Sequence, residues 1–149
     1  MKTIQKMYEH LNWANQRILA TLQNVEADNE QVVRLFLHIL NAEQVWITRL
    51  RRMDSSQLPI WSDGDLAICA NLIEQTEADF KTFFSEIEEA DLDHLISYKN
   101  SKNKEFNNSM REILTHVALH GQYHRGQINM RLRAGGFEPI NTDFITFLR

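Results

Sequence analysis

Four long segments of this 149-residue chain carry apolar residues every three or four positions, and this helical spacing constrains the fold more than any other feature. The segments cover about residues 3–24, 29–53, 65–89 and 109–134. Each has one apolar stripe, which must be buried against another part of the protein. Because the connections are short, the pattern predicts an all-α four-helix bundle in which residues 1–149 form a single domain.

The connection between the third and fourth helices has a different composition. Residues 92–108 are rich in Asn, Ser and Lys, which is unfavourable for a helix. Two short segments within it, 95–98 and 105–106, contain β-forming residues on either side of a polar turn. We therefore expect a short β-hairpin at this point.

The fourth helix has clear start and stop signals. Ser109 and Glu112 have the spacing of a capping box, and Gly135 and Gly136 end the helix. The chain then continues into a tail, residues 141–149, with four large apolar side chains. These side chains need a partner, which is either the core of the same chain or a second subunit.

Three histidines follow one another at four-residue intervals in the fourth helix: His116, His120 and His124. A four-residue step rises about 6 Å, so the outer two lie about 12 Å apart along the axis and cannot share one metal ion. The chelating pair is either 116 with 120 or 120 with 124. The apolar stripe of the helix continues through the second pair, which favours it and leaves His116 a role in orienting a ligand, in facing the substrate or in the structure alone.

A third ligand is needed, because a catalytic metal site usually has three protein ligands and one open position. His38 is the best candidate, since it also lies within an apolar stripe, on the second helix. The alternative is a core histidine satisfied by one hydrogen bond. Three buried imidazoles have up to six ring nitrogens to satisfy, and this favours a metal.

The other two histidines fit a metal site less well. His10 lies in a polar stretch near the amino terminus, and His94 follows an acidic run. Both patterns predict a histidine exposed to solvent.

Charge and composition exclude several other classes of function. The net charge of −4 argues against nucleic-acid binding, and the basic cluster at residues 49–52 is explained by the negative end of a helix dipole. The apolar runs are too short for a membrane span and no secretion signal is visible, so we expect a cytoplasmic protein. The single cysteine, Cys69, rules out an internal disulfide and is predicted to be a buried, inert thiol.

Several motifs together resemble the DinB-like family of metal-dependent helical bundles. The most specific is the stretch His116–Ile128, which includes Tyr123, His124, Arg125, Gly126 and Gln127. The second-helix segment Leu37–Trp46, the Arg133–Gly136 helix end and the Pro139–Phe144 tail match as well. The resemblance covers nearly the whole chain.

This resemblance implies an up-down-down-up bundle with a long link between the second and third helices, assembled as a homodimer. It also implies a divalent metal held by one histidine of the second helix and the last two of the fourth-helix motif. On this chain those residues are His38, His120 and His124, in agreement with the stripe argument. His116 matches a motif position that is not usually a ligand.

The resemblance and the residues together predict a metal-dependent enzyme acting on a small molecule. Related bundles transfer a low-molecular-weight thiol to an electrophile, and others act as hydrolases or isomerases. A non-catalytic metal-binding or stress-response interaction protein is the alternative. Gln127 and Tyr123 are candidates to orient a ligand or substrate. Imidazole ligands discriminate poorly among metals, so Zn, Ni, Fe and Mn all fit.

Overall fold

A computed structural model, which describes residues 1–25 and 29–149, contains four long helices and a short hairpin. The helices are α1 (Lys2–Gln23), α2 (Glu30–Leu50), α3 (Leu66–Glu86) and α4 (Met110–Ala134). A 3-10 helix (Glu89–Asp93) leads into the strands β1 (Leu95–Lys99) and β2 (Glu105–Ser109), and a short helix α5 (Phe144–Phe147) lies near the carboxyl end. The predicted all-α bundle with a hairpin between its third and fourth helices is confirmed.

The direction of each helix follows from the residues that meet at its ends. Tyr8, early in α1, contacts Phe80 near the end of α3 with 4.5 Å between ring centroids. The same Tyr8 donates its hydroxyl proton to the carbonyl of Leu114, early in α4, at 3.1 Å. Helix α1 is therefore antiparallel to α3 and parallel to α4.

Helix α2 has the opposite relations to the same two helices. Arg51, at the end of α2, forms an ion pair with Glu86 at the end of α3, with 3.6 Å between the charged atoms. At its other end, Gln31 of α2 accepts a hydrogen bond from Arg131, late in α4. The order is thus up-down-down-up, as expected, and the long 51–65 link returns the chain so that α2 and α3 can lie parallel.

The hairpin determines how the chain enters α4. Its strands pair antiparallel, with Leu95 opposite Ser109 and Lys99 opposite Glu105. Ser109 ends β2 and also caps α4, because its hydroxyl accepts from the backbone N–H of Glu112 while the Glu112 carboxylate accepts from the backbone N–H of Ser109. The predicted capping box is confirmed, and it places the start of α4 directly against the sheet.

Two predicted helix ends lie three residues too far along the chain. Helix α2 ends at Leu50, and Arg52 has a φ of 57°, a left-handed conformation that cannot continue a right-handed helix. Helix α3 ends at Glu86, because Ile87 is extended. Apolar spacing continues past both ends, so it could not locate them.

The carboxyl-terminal tail folds back over α1. Phe144 lies edge-on to His10 with 5.2 Å between ring centroids, and Phe147 lies 5.6 Å from Trp13. The apolar tail therefore has a partner in its own chain, although Ile145 and Leu148 stay about half exposed. This packing corrects the prediction for His10, which is buried with its Nε2 2.7 Å from the carbonyl oxygen of Thr142.

Other expectations about single residues and segments are confirmed. His94 is exposed. Cys69 is fully buried, and burial raises the pKa of its thiol to about 12, so it is not a nucleophile. None of the helices in the described part of the chain has both the length and the apolar composition needed to cross a membrane.

Candidate metal site

Three histidine side chains from two helices meet in the space between α2 and α4. One ring nitrogen from each of His38, His120 and His124 lies within 4.8 Å of the others. The ring centroids are 4.5 to 4.9 Å apart. The structure thus brings together the three residues that the sequence selected.

Within α4, the second of the two possible pairs is the one that converges. The Nε2 atoms of His120 and His124 are 3.1 Å apart. His116 is exposed and lies against the ring of Trp46, with 5.3 Å between centroids. It is a neighbour of His120 at 5.6 Å between centroids, but it does not belong to the three-histidine cluster.

The buried face of α4 includes slightly different residues from those that the apolar spacing predicted. The fully buried face of α4 passes through Gly121 and Arg125. His120 and His124 lie beside this face and are half-buried. Their position at the edge of the core leaves the cluster accessible from solvent.

His38 is held by the loop that links α2 to α3. Its Nδ1 is 2.9 Å from the carbonyl oxygen of Ile60. A carbonyl oxygen can only accept a hydrogen bond, so Nδ1 carries the proton and Nε2 has a free lone pair. The ring of Trp61 stacks on His38 with 3.7 Å between centroids and 3° between planes, which fixes the orientation of the imidazole.

Gln127 orients the ring of His124 through a hydrogen bond, as Ile60 does for His38. Its side-chain Oε1 is 2.6 Å from Nδ1 of His124, so this nitrogen donates and the Nε2 lone pair faces the cluster. Tyr123 has a weaker relation to the site, because its side chain is 66% exposed and only its ring edge lies near His124. Of the three candidate orienting residues, Gln127, Tyr123 and His116, Gln127 is the one that forms a hydrogen bond to a cluster histidine.

Burial favours the neutral form of two of the three imidazoles, His38 and His120. Burial, together with the neighbouring histidines, lowers the pKa of His120 to about 4, and burial also lowers the pKa of His38. Both rings are therefore largely unprotonated at neutral pH, which is the form that binds a metal.

The donor set fits a divalent ion. The 3.1 Å between the Nε2 atoms of His120 and His124 is close to the ligand–ligand distance of about 3.3 Å in a tetrahedral zinc site with bonds of about 2.0–2.1 Å. Oriented, neutral nitrogens from two helices are the ligands that zinc, nickel and iron accept. The cluster can therefore hold a metal ion through three protein atoms.

Trp61 provides a direct optical test of the site. We expect Ni²⁺ or Co²⁺ to quench the fluorescence of the protein, because both ions quench a nearby indole and Trp61 stacks directly on His38. Trp61→Phe should remove most of the metal-dependent quenching. Trp46→Phe is the matched control and should keep it. If quenching survives in Trp61→Phe and disappears in Trp46→Phe, the ion lies nearer to His116 than to His38.

A second group of functional interest was missed by the sequence analysis. Asn15 of α1, Glu43 of α2 and Arg125 of α4 are polar residues with about 1% exposure at the bundle centre. Asn15 donates its amide N–H groups to both carboxylate oxygens of Glu43, at 3.1 and 3.2 Å. Charged residues in an amphipathic helix usually face solvent, so the apolar pattern did not indicate that these polar residues are buried.

Gly121 makes room for the buried guanidinium of Arg125. A side-chain carbon at position 121 would lie 2.8 Å from the Arg125 Nη1 atom. A glycine four residues before an arginine on the apolar face of α4 is the one sequence feature that could have indicated a buried arginine. Burial raises the pKa of Glu43, and the charge of Arg125 opposes that rise. Burial and the neighbouring histidines lower the pKa of His120, and the charge of Arg125 adds to that effect.

Comparison with known proteins agrees with the family resemblance noted in the sequence. A family model described as the DinB family matches residues 1–149. The chain is similar to Protein DinB of Bacillus subtilis (strain 168), with 29% identity over 96% of this chain and 92% of that relative. The resemblance noted in the sequence is confirmed. A match to the family model along the whole of residues 1–149 shows that this chain belongs to the DinB family.

Proposed function

We propose that residues 1–149 form one metal-dependent catalytic domain that transfers a low-molecular-weight thiol to an electrophilic small molecule. His38, His120 and His124 are the proposed ligands of a divalent ion. The observation that carries the proposal is the meeting of these three histidines, with two of them oriented by hydrogen bonds from outside the cluster. A site with three protein ligands and one open position is typical of catalytic metal sites, whereas structural sites usually have four protein ligands.

The surroundings of the cluster leave room for a substrate. His120 and His124 are half-buried, and Trp61 is 48% exposed although it stacks on His38. Three protein ligands leave at least one coordination position for a substrate atom. When bound, a divalent ion with three neutral ligands keeps its full charge and lowers the pKa of a coordinated thiol or water.

A neighbouring cleft suits an acidic thiol. It has a volume of about 700 Å³ and lies between the 51–65 link and the hairpin. Ile60, whose carbonyl holds His38, forms part of its wall. Arg49, Arg52 and Lys99 line it against the single carboxylate of Asp54, so the cleft has an excess of positive charge. Cellular thiols that carry carboxylates would be attracted to such a surface, and this favours thiol transfer over hydrolysis.

In the proposed reaction the thiol gives its proton to solvent and its sulfur forms a bond to the electrophilic carbon, whose leaving group departs with the bonding electron pair. Ile60 accepts a hydrogen bond from Nδ1 of His38, and Gln127 accepts one from Nδ1 of His124. These bonds keep the protons on Nδ1, so the Nε2 lone pairs stay available to the ion. The basic cleft holds the carboxylates of the thiol.

The test measures thiol transfer to monochlorobimane, a chloride that becomes fluorescent when a thiol displaces the halide. Protein loaded with Zn²⁺, Ni²⁺, Mn²⁺ or Fe²⁺ is supplied with glutathione, cysteine or coenzyme A. We expect metal-dependent turnover with at least one thiol, its loss in His124→Ala, and its retention in His116→Ala. Gln127→Ala should weaken metal affinity by about 10–100-fold, because Gln127 orients a ligand.

The alternatives give different results in the same assay. Metal-dependent hydrolysis of p-nitrophenyl acetate without thiol transfer would assign a hydrolase. Stoichiometric metal binding without turnover of either compound would assign a non-catalytic metal-binding protein. Lys99→Gln tests the basic cleft, since it should raise KM for glutathione and leave KM for 2-mercaptoethanol, which has no carboxylate, unchanged.

A further inference from the structure

A second cleft lies on the opposite side of the bundle from the three histidines. It occupies the groove between α1 and α3 and has a volume of about 690 Å³, within the range of small-molecule sites. Its walls are largely apolar and include Ile73, Phe80 and Phe84. Its floor is polar and is formed by Asn15, Glu43 and Thr76.

The floor of this cleft contains one hydrogen-bond acceptor that the described residues do not satisfy. The Oδ1 atom of Asn15 is fully buried and has no hydrogen-bond partner within residues 1–25 and 29–149. The carboxylate of Glu43 accepts only from the amide of Asn15 among the described side chains. A buried acceptor without a donor costs free energy. A ligand that brings donors to this floor would recover that energy.

The charge around the cleft favours a cationic ligand. Glu43 is at the floor, and Glu9 of α1 and Glu77 and Lys81 of α3 lie at the rim. Arg125 of α4 interacts electrostatically with Glu43 and does not line the cleft. Glu9 is already ion-paired with Lys6 at 2.6 Å. Glu43 and Glu77 against Lys81 therefore leave the lining with one excess negative charge when Glu43 is ionised, while the walls offer aromatic rings to an apolar body.

We propose that the cleft between α1 and α3 is a binding site for a small primary amine with an aromatic or aliphatic body. The ammonium group donates to Asn15 Oδ1 and to the carboxylate of Glu43. The apolar body lies against Phe80 and Phe84. An ammonium has donors and no acceptors, which matches the unsatisfied Asn15 Oδ1 acceptor and the carboxylate of Glu43.

The pH dependence of binding follows from Glu43. Burial raises the pKa of its carboxyl to about 7, with the charge of Arg125 and the hydrogen bond from Asn15 acting in the opposite direction. An alkylammonium has a pKa of about 10. Between these two values the carboxylate and the ammonium are both charged, so amine binding should be stronger at pH 8 than at pH 6.

The test is calorimetric titration of the full chain at pH 8 with 2-phenylethylamine, with 2-phenylethanol as the neutral probe of the same shape. We expect one amine per chain and binding at least tenfold weaker for the alcohol. Glu43→Gln should weaken amine binding at least tenfold and leave alcohol binding unchanged. Equal affinities for the two probes, or no measurable amine binding, would overturn the proposal.

Two further measurements keep the result independent of folding and of the metal site. Glu77→Lys changes an exposed rim residue and should weaken amine binding severalfold, even if Glu43→Gln fails to fold. The His124→Ala variant should bind the amine as tightly as the unchanged protein. If the amine instead competes with Zn²⁺ for the protein, it binds at the histidines and the proposal is wrong.

Discussion

Replacing His38 or His124 by alanine is expected to remove the divalent ion from the protein while the helices stay folded. Each substitution leaves two ligands, which cannot hold the ion in a stable site. Loss of a residue that only orients a ligand costs about 10–100-fold in metal affinity, and loss of a ligand itself should cost more. The measurement is elemental analysis of protein purified without an affinity tag, together with circular dichroism for helix content.

The chain contains matched controls for this experiment. His116→Ala changes the third histidine of the same helix and should leave the metal content unchanged, because its side chain is exposed and packs on Trp46. His94→Ala changes an exposed histidine in the segment before the hairpin. Full metal content in both His38→Ala and His124→Ala would show that the three-histidine cluster is not the binding site.

Glu43→Gln is expected to stabilise the protein against unfolding above pH 7 and to have little effect near pH 4. Burial raises the pKa of Glu43 from 4.5 to about 7 in the folded state. Below pH 4.5 the carboxyl is protonated in both the folded and the unfolded chain, so it adds no pH dependence to the free energy of unfolding. Between pH 4.5 and about pH 7 the unfolded chain releases a proton that the folded chain retains, so the stability of the wild-type protein falls as pH rises.

The size of this effect follows from the pKa difference. One pKa unit corresponds to about 1.4 kcal/mol, so ionisation of Glu43 lowers the free energy of unfolding by about 3 kcal/mol once the pH exceeds 7. Glutamine cannot ionise, and its side-chain oxygen can still accept a hydrogen bond from Asn15. Urea denaturation of metal-free protein from pH 4 to pH 8 measures the difference between the two proteins.

Glu74→Gln is the control, since Glu74 is an exposed residue on α3 and its replacement should not change the pH dependence. A stability difference between wild type and Glu43→Gln that stays constant from pH 4 to pH 8 would contradict the prediction. It would mean that the Glu43 carboxyl has the same pKa in the folded and unfolded chains.

Much of the fold could be predicted because helices are local structures. The spacing of apolar residues identified all four long helices, and the Ser109 and Glu112 pair identified the start of α4. Helix ends were less predictable where a single backbone conformation decides them, as at Arg52. The tail could not be assigned to its own core or to a second subunit, since its packing on α1 joins residues more than 120 positions apart.

The candidate site was partly predictable for the same reason. The i, i+4 spacing places His120 and His124 together on one helix, and an apolar stripe that contains His38 indicates a buried imidazole. No local pattern indicated the stacking of Trp61 on His38 or the hydrogen bond from its Nδ1 to the carbonyl of Ile60. Both contacts come from a loop whose conformation depends on the helices that it joins.

The sequence by itself determined which segments are helical and that only successive histidines of α4 can share an ion, because both depend on residues less than about two turns apart. Only the tertiary structure decided that His38 faces the pair His120 and His124, and that Asn15, Glu43 and Arg125 are buried together. The reason is that packing among the four helices determines which faces contact each other. The spacing of residues within one helix does not specify these contacts.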